Sequence, residues 1–278
     1  MKVLLFENEY ATEEYEDSEA SWERPIYLTI KEGVETICSG MFENPNRSED
    51  VCGGEIIISI PNSVKTIGSA SFICINQLRS LVIPDSVEAI ESCAFTQCVN
   101  LSEITLSKAL KRIGSRAFEN CSSLGKIEIP EEVIKIEDVA FRGCALLKEI
   151  TLHRGLIAIG WYAFAECWKV KRVEIPGTVA VLGKGVFENC RSLEEIVVSE
   201  NLLKKYGKGY IMSNTRARVV TSASCGTEIP KTEVPEVVEM HEKGNGVSES
   251  CSKSPARSYN VKSYNGAIRR NLISGKKK

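Results

Sequence analysis

Large apolar residues recur along the chain at a fixed step of 23 residues. The step is set by phenylalanine, and Leu or Val follows most of these positions six residues later. The phenylalanines are Phe72, Phe95, Phe118, Phe141, Phe164 and Phe187. A further one, Phe42, lies 30 residues before Phe72, which corresponds to one period plus a seven-residue insertion. Self-similarity at a fixed period of about 20–50 residues is typical of stacked-repeat architectures.

Between successive phenylalanines, the apolar positions form two further groups. The first is an alternating triplet such as Ile127-Glu128-Ile129, which has the period of two expected for a half-buried strand. The second is an apolar pair three residues apart, such as Val133 and Ile136. Because one repeat is too small to bury its own apolar side chains, neighbouring repeats must stack and share a core. Their strands would then lie side by side in a parallel sheet, about 4.8 Å apart.

Proline and glycine mark the expected bends of each repeat. Proline lacks a backbone donor and can end strand pairing, and it follows the strand at Pro61, Pro84, Pro130 and Pro176. Glycine follows the second apolar pair, where we expect a bend with φ above zero. These glycines are Gly68, Gly114, Gly160 and Gly183. The remaining segment, Ala-Phe-x-x-Cys-x-x-Leu, has apolar residues three apart and predicts a helical or 3₁₀ turn on the opposite side.

The order of these positions, Leu-x-x-Ile-x-Ile-Pro-x-x-Val-x-x-Ile-Gly-x-x-Ala-Phe-x-x-Cys, closely resembles the BspA-type leucine-rich repeat family. The resemblance covers roughly residues 26–200. It departs from the more familiar leucine-rich consensus, because residues such as Ser86 and Glu132 stand where Asn or Cys is usual. It implies a leucine-rich repeat solenoid of about seven to eight coils, with a parallel β-sheet on one face and short turns or helical arcs opposite. It also implies a cell-surface or secreted protein that acts in adhesion or interaction.

Five of the eleven cysteines occupy one position of the repeat, three residues after the phenylalanine. They are Cys98, Cys121, Cys144, Cys167 and Cys190. A buried column of small apolar side chains is a role that unpaired Cys fills well, and Ile75 takes the same position after Phe72. A zinc site would need clustered ligands, often in C-x₂-C pairs, and the chain has no C-x₂-C and only two histidines. We therefore interpret the column as structural and expect no metal.

Catalysis by a thiol would need one cysteine singled out beside a base, whereas the repeat makes the five equivalent. Cys38, Cys74 and Cys93 also fall within the repeats without an evident partner, and Cys52 lies in the insertion. So many thiols without evident partners favour a reducing compartment, or folding that does not depend on oxidation.

The ends of the chain differ from its middle. Residues 1–25 carry eight acidic and two basic side chains and predict an acidic cap or a flexible segment. Residues 43–55 predict a surface loop inserted into the solenoid, which we expect to span residues 26–212 with a C-terminal cap. The cap would be formed by Leu202, Leu203, Tyr206, Tyr210 and Ile211. Residues 213–278 are rich in Ser, Thr, Gly, Pro, Glu and Lys and predict a disordered tail.

Basic residues concentrate at the end of this tail. Its last 28 residues, Cys251 to Lys278, contain eight Lys or Arg and no acid. Such a segment could bind an anionic partner, either nucleic acid or a membrane, or it could simply be solvated. We favour the solvated tail, because no aromatic-basic motif or lipidation signal accompanies it. The net charge of −2 gives the whole chain no general attraction to nucleic acid.

Candidate binding residues lie on the predicted strands, at the positions between the buried ones. They should point outward on one continuous face whose mixed charges suit a polar protein or glycan partner, although they could equally serve only to keep the sheet hydrated. The candidates are Glu103, Thr105, Lys126, Glu128, Glu149, Thr151, Arg172, Glu174 and Glu195. Ser80, Val82 and Val197 are expected on the same face.

These features together predict a non-enzymatic binding scaffold that needs no cofactor. An enzyme is the alternative class, but the Gly-x-Gly at Gly183–Gly185 lies inside a repeat rather than on a phosphate-binding loop. No apolar run is long enough to span a membrane. The N-terminal apolar run is also too short for a secretory signal, which predicts a cytoplasmic location. The family resemblance implies a surface or secreted location instead.

Overall fold

The computed structural model describes residues 2–7, 10–15, 26–39, 54–212 and 214–221, all within one compact unit, Met1–Glu233. A second unit, Val234–Lys278, lies outside the described residues. The predictions for the basic end of the tail, for most of the inserted loop and for Cys52 therefore lie outside the described residues as well.

Each 23-residue repeat forms one coil of a parallel β-solenoid of about seven turns. Every coil contributes one strand to each of two faces. The strands of the first face are β3 (Ile26–Ile30), β5 (Ile56–Ser59), β7 (Ser80–Val82), β9 (Glu103–Thr105), β11 (Lys126–Glu128), β13 (Glu149–Thr151), β15 (Arg172–Glu174) and β17 (Glu195–Val198). Those of the second face are β4 (Thr36–Ile37), β6 (Thr66–Ile67), β8 (Ala89–Ile90), β10 (Arg112–Ile113), β12 (Lys135–Ile136), β14 (Ala158–Ile159) and β16 (Val181–Leu182).

The second face is a continuous seven-stranded parallel sheet, in the order β16-β14-β12-β10-β8-β6-β4. Its strands have only two residues each, and the second residue of each, such as Ile113 or Ile136, is fully buried. The sequence pattern shows an apolar pair at these positions, and the strands there were not predicted from it. The solenoid therefore has two parallel sheets joined by turns, and the phenylalanine segment closes each coil.

The phenylalanine rings stack through the core from Phe72 to Phe187. Neighbouring rings from Phe72 to Phe164 are nearly parallel, with centroids 5.0–5.1 Å apart, and the last pair is 6.0 Å apart. All six side chains are completely buried. This stack is the largest apolar contribution of each coil, and it fixes the spacing between coils.

The phenylalanine segment is a series of turns, which is the first of the two predicted alternatives. Residues two positions before and two positions after each Phe adopt positive φ, for example Arg116 (φ 57°) and Asn120 (φ 61°) around Phe118. This left-handed backbone is unfavourable for non-glycine residues. It persists here because the amides of Arg116, Phe118 and Asn120 all donate to carbonyls of the next coil, across 2.7–3.0 Å.

The glycines after the second apolar pair have a different role from the predicted one. Gly68, Gly114, Gly160 and Gly183 do not have positive φ, so the expected left-handed bend is absent there. Instead the backbones of neighbouring coils approach closely. A Cβ added at Gly114 would lie 2.7 Å from the backbone carbon of Glu91 in the preceding coil. The position requires glycine because there is no room for a side chain.

Both ends of the first face are extended by extra strands. At the N-terminal end, β1 (Lys2–Glu7) pairs parallel with β3 and antiparallel with β2 (Tyr10–Tyr15). At the C-terminal end, β18 (Arg218–Thr221) pairs parallel with β17. The sequence analysis placed residues 213–221 in a disordered tail, whereas β18 continues the solenoid past the predicted boundary at residue 212.

Helix α1 (Glu200–Met212), which is interrupted by a kink at Gly207 (φ 75°), connects β17 to β18 and packs on the last strand of the second face. The Oγ of Ser199 accepts a hydrogen bond from the amide of Leu202 and caps the helix. The hydroxyl of Tyr206 accepts from the amide of Leu182, and the hydroxyl of Tyr210 donates to its carbonyl. The two tyrosines thereby satisfy backbone groups of β16 that have no further strand beside them.

From β7 to β17, the coils of the first face alternate in type, with a period of two coils. β7 pairs with β9, β11 with β13, and β15 with β17, which separates this part of the face into short sheets. In these three pairs the leading strand is followed by proline, at Pro84, Pro130 and Pro176, whereas the positions after β9 and β13 are Ser107 and His153. The earlier pair β3–β5 differs, because its proline, Pro61, follows the second strand. Between β7 and β17 the structural repeat is therefore 46 residues, a period that the 23-residue sequence pattern conceals.

Candidate partner-binding face

The candidate residues lie on the first face of the solenoid, in two outward rows. In β11 and β15 the middle residue is buried and the flanking residues are exposed. In β9 and β13 the middle residues, Ile104 and Ile150, are only half-buried. All nine candidates are exposed except Glu195, which is half-buried. Parallel pairing at one register keeps equivalent residues of successive coils side by side.

The first of these rows, which we call the charged row, alternates in sign along the solenoid. Its members are Glu103, Lys126, Glu149, Arg172, Glu195 and Arg218. Arg218 was not among the sequence-based candidates, because its strand lies beyond the predicted end of the solenoid. A signal was available, since Arg218 follows Glu195 by one 23-residue step and Val219 follows Ile196 in the same way.

Ion pairs link neighbours within the charged row. Lys126 Nζ lies 4.0 Å from Glu149 Oε2. Glu195 accepts from both sides, at 2.9 Å from Arg172 Nε and 2.7 Å from Arg218 Nη2. Hydrogen bonds from these two guanidinium groups hold the pKa of Glu195 below its ordinary value, and the bond from Arg172 has the larger effect. Hydrogen bonding to Glu195 likewise raises the pKa of Arg172. Charged residues that were predicted to contact a partner therefore also form ion pairs with one another.

The second row contains Thr105, Glu128, Thr151 and Glu174. The imidazole of His153 lies between two carboxylates, with Nε2 4.0 Å from Glu128 and Nδ1 3.9 Å from Glu131. Val197 was expected on this row, but it is 4% exposed, and it lies beside Val220 of the added strand. The row thus presents hydroxyls and acids between β9 and β15, and no basic side chain.

Among the outward strand residues from β5 to β17, charge occurs only from Glu103 onward. In the two preceding coils the outward residues are uncharged, and Val82 is the most exposed large apolar side chain among the described residues, at 67%. Ile57 is also exposed, and Ser59 and Ser80 complete this part. Between β5 and β17 the outward face is therefore divided into an uncharged part, β5 and β7, and a charged part that follows it.

The five column cysteines lie in the core, as predicted, but each also acts as a hydrogen-bond donor. The Sγ of Cys98 lies 3.0 Å from the carbonyl oxygen of Phe72 in the preceding coil. The same contact recurs in each later coil, up to Cys190 with Phe164 at 3.1 Å. The thiol therefore links neighbouring coils as well as filling space, and the carbonyls of Phe95, Phe118 and Phe141 each accept a backbone amide in addition.

Burial also controls the chemistry of these thiols. Desolvation raises the pKa of Cys98 to about 12 and raises the pKa of Cys121, Cys144 and Cys167 well above the ordinary value. A thiol that stays protonated is a poor nucleophile and a poor metal ligand. This physical argument places the column outside any reactive site.

Cys93 differs from the cysteine column. It is disulfide-bonded, although the sequence pattern gives it no evident partner. Its neighbour in the next coil at the same position is Arg116, which shows that this position does not require a thiol.

Within the part of the chain that the structure describes, no group of three or more His, Cys, Asp or Glu side chains is arranged to hold a metal ion. None of the described helices is long and apolar enough to cross a membrane.

Comparison with solved structures finds bacterial leucine-rich repeat proteins. One from Bacteroides ovatus is 18% identical, with a TM-score of 0.48, over 72% of this chain and 57% of that one. A leucine-rich cell surface protein from Faecalibacterium prausnitzii is 21% identical, with a TM-score of 0.42, over 74% and 63%. One from Eubacterium ventriosum is 23% identical, with a TM-score of 0.47, over 64% and 45%. The chain thus spans less than two thirds of the length of each.

None of the curated proteins compared with the chain matches it. The model of the BspA type leucine-rich repeat region matches with six copies, over residues 52–137 and 111–232. These two matches overlap and together cover more than half of the chain. The matched residues include the phenylalanine stack, the cysteine column and the charged row. The chain belongs to the BspA-type leucine-rich repeat family.

Proposed function

We propose that the chain is a non-enzymatic scaffold that binds a protein partner through the outward residues of its first face. The observation that carries this proposal is the pair of outward rows, in which exposed side chains recur at the same register from coil to coil. Protein binding is the activity that the repeat family suggests. The residues proposed for contact are the nine sequence-based candidates and Arg218.

The rigidity of the backbone under these rows supports binding. Successive coils are tied by hydrogen bonds on both sheets and through the phenylalanine segments, and the core below is filled by stacked rings. Binding is weakened by the entropy lost when a surface becomes ordered. A face that is already ordered loses less entropy on binding. It can therefore bind a partner without large apolar side chains at the centre of the contact.

The composition of the rows favours a protein partner. Charges of both signs at fixed positions can be matched by a protein surface, which gives specificity and fixes the register of the complex. The Arg172, Glu195 and Arg218 group is held in place by its own ion pairs, so its charges are positioned before a partner arrives. Thr105 and Thr151 have short side chains between the charges and leave access to them.

A site-specific crosslinking experiment tests the proposal. A photoreactive amino acid is placed at Thr105 or Thr151 on the first face, and at Thr36 on the second face as a matched control. The chain is expressed in its source cells and irradiated. We expect a discrete crosslinked protein from positions 105 and 151 and none from position 36. Equal products from all three positions would contradict the proposal.

A charge-reversal variant then tests which residues hold the partner. Lys126→Glu, Glu128→Lys, Arg172→Glu and Glu174→Lys together keep the net charge unchanged. This variant should lose the crosslink from position 151 at least tenfold. The control exchanges Glu88 and Lys111, an ion pair with 2.7 Å between its charged atoms near the second face, and should keep the crosslink. A crosslink that survives the fourfold reversal would remove these residues from the site.

A further inference from the structure

The charged row has a symmetry property that identifies one specific partner. Its six members alternate in sign from Glu103 to Arg218, and their number is even. If the row is turned end for end and laid on itself, the first member meets the last, the second meets the fifth, and the two central members meet each other. Every meeting then joins opposite charges: Glu103 with Arg218, Lys126 with Glu195, and Glu149 with Arg172.

We infer that a second copy of this chain docks on the charged row, face to face and with its coils in the opposite order. The inference rests on the proposed function, because it uses the same face and names its partner. A two-fold axis along the strand direction, midway between Glu149 and Arg172, generates the arrangement. Such an isologous contact is closed, so it yields a dimer and not a filament.

The geometry is compatible with direct ion pairs between the copies. Packed sheets lie about 10 Å apart, and the side chains of Lys, Arg and Glu can meet across that gap. In the second row, the same axis places Thr151 opposite Glu174 and Glu128 opposite Val197, so no like charges meet there. At one margin of the face the contact is unfavourable, because Lys148 would face Lys171 of the second copy and the two positive charges would repel each other. Both side chains are exposed.

The contact must be weak. Six strands of three residues, about 4.8 Å apart, cover roughly 24 by 10 Å, which is well below the ~800 Å² per partner of a standard stable complex. Exposed ion pairs also contribute little individually and are screened by salt. We therefore expect a dissociation constant above about 10 µM at low salt, weakening at least tenfold in about 0.5 M salt.

Two charge exchanges test the pairing scheme. The first exchange is Lys126→Glu with Glu149→Lys, and the second is Arg172→Glu with Glu195→Arg. Each keeps the net charge and leaves opposite charges at the exchanged pair of neighbours, but it brings like charges together at four of the six facing positions. The two variants are complementary, however, because all six positions carry opposite charges when one variant faces the other.

Sedimentation velocity over a concentration series measures the result, with circular dichroism to confirm folding. Wild type should dimerise, each exchange variant should dimerise at least tenfold more weakly, and their mixture should recover the wild-type affinity. The control exchange of Glu88 and Lys111 should dimerise like wild type. A mixture no tighter than the separate variants, or wild type that stays monomeric up to about 1 mM, overturns the inference.

A second measurement needs no variant. Zero-length crosslinking of mixed ¹⁴N and ¹⁵N wild-type chains should join Lys126 to Glu195 between isotopically different copies. Within one chain these residues lie three coils apart, about 14 Å, which is too far for a zero-length link. Absence of this product at dimerising concentrations contradicts the pairing scheme. If the chain stays monomeric but still crosslinks a different protein from position 151, this inference fails and the proposed function stands.

Discussion

The thiol of Cys121 donates a hydrogen bond to the carbonyl oxygen of Phe95, in the preceding coil, across 3.2 Å. The contact links the two residue types that recur with the repeat, and it turns a column of small side chains into a ladder between coils. The same carbonyl oxygen also accepts the backbone amide of Cys98 across 3.2 Å, so the thiol adds a second hydrogen bond that links the two coils.

The column cysteines should resist alkylation in the native protein. Labelling requires a thiolate and access, and burial denies both. We expect Cys98, Cys121, Cys144 and Cys167 to react at least about 100-fold more slowly than the half-buried Cys38. Brief alkylation followed by mass spectrometry measures this, with a urea-unfolded sample as the control in which every thiol reacts. Rapid native labelling of the column would show that it is open to solvent.

Stability should fall steeply at alkaline pH because of the same thiols. In the unfolded chain a cysteine ionises near pH 8.5, whereas Cys98 in the fold keeps its proton up to a pKa of about 12. Above pH 8.5 the unfolded state therefore binds fewer protons than the native state, and the free energy of unfolding decreases until about pH 12. The loss is about 1.4 kcal/mol per pH unit for each such thiol.

The variant Cys98→Ala isolates one of these contributions. Urea unfolding of wild type and variant, at several pH values between 9 and 10.5 with a reductant present, gives the slope of stability against pH. The slope of the variant should be shallower by about 1 kcal/mol per pH unit, whatever its stability at neutral pH. Identical slopes would mean that the Cys98 thiol ionises equally in both states.

Phe118→Ala should reduce the free energy of unfolding by about 3–5 kcal/mol. The ring is fully buried and stacks on Phe95 and Phe141, both at 5.1 Å, so the substitution leaves a cavity between two rigid neighbours. Chemical denaturation measures the loss. The control is Val82→Ala on the exposed face, which should change stability by less than about 0.5 kcal/mol. Similar small effects for both would be incompatible with a continuous ring stack.

Gly114→Ala should destabilise the solenoid by about 1–3 kcal/mol, because the new Cβ would lie 2.7 Å from the backbone of Glu91 and overpack the contact between coils. Gly125→Ala is a matched control in a neighbouring coil segment. A Cβ there meets no atom within 4 Å, so this variant should be neutral or slightly stabilising. Thermal unfolding of both variants compares them directly, and a Gly114→Ala variant as stable as Gly125→Ala would show that the coils can separate locally without cost.

The coil and its core could be predicted because they depend on residue type at a fixed period. Phe118, Ile127 and Ile136 are apolar in a pattern that only stacking can bury, and the structure buries all three. The left-handed turns could not be predicted, because residues such as Arg116 and Val139 carry side chains that ordinarily disfavour positive φ. Hydrogen bonds from the next coil impose that conformation, and a single repeat contains no sign of them.

The candidate face could be predicted only as far as exposure. Alternation along each strand shows that Lys126 and Glu149 point outward, and both are exposed. Their mutual ion pair, and the two partners of Glu195, depend on the lateral register between coils, which is set by the stacking of the core. Arg218 belongs to the charged row but was not among the sequence-based candidates. Helix α1 separates it from the earlier repeats and interrupts the sequence pattern, although the sheet continues.

The 46-residue period of the first face has a consequence for how such a protein can change in length. Deleting one coil, residues 126–148, would place Glu103 beside Glu149 and bring together two strands that lack the following proline. Deleting two coils, residues 126–171, would place Glu103 beside Arg172 and keep both alternations intact. Between β7 and β17, duplication and loss should therefore proceed in steps of two coils, and the smallest interchangeable module of that part has 46 residues.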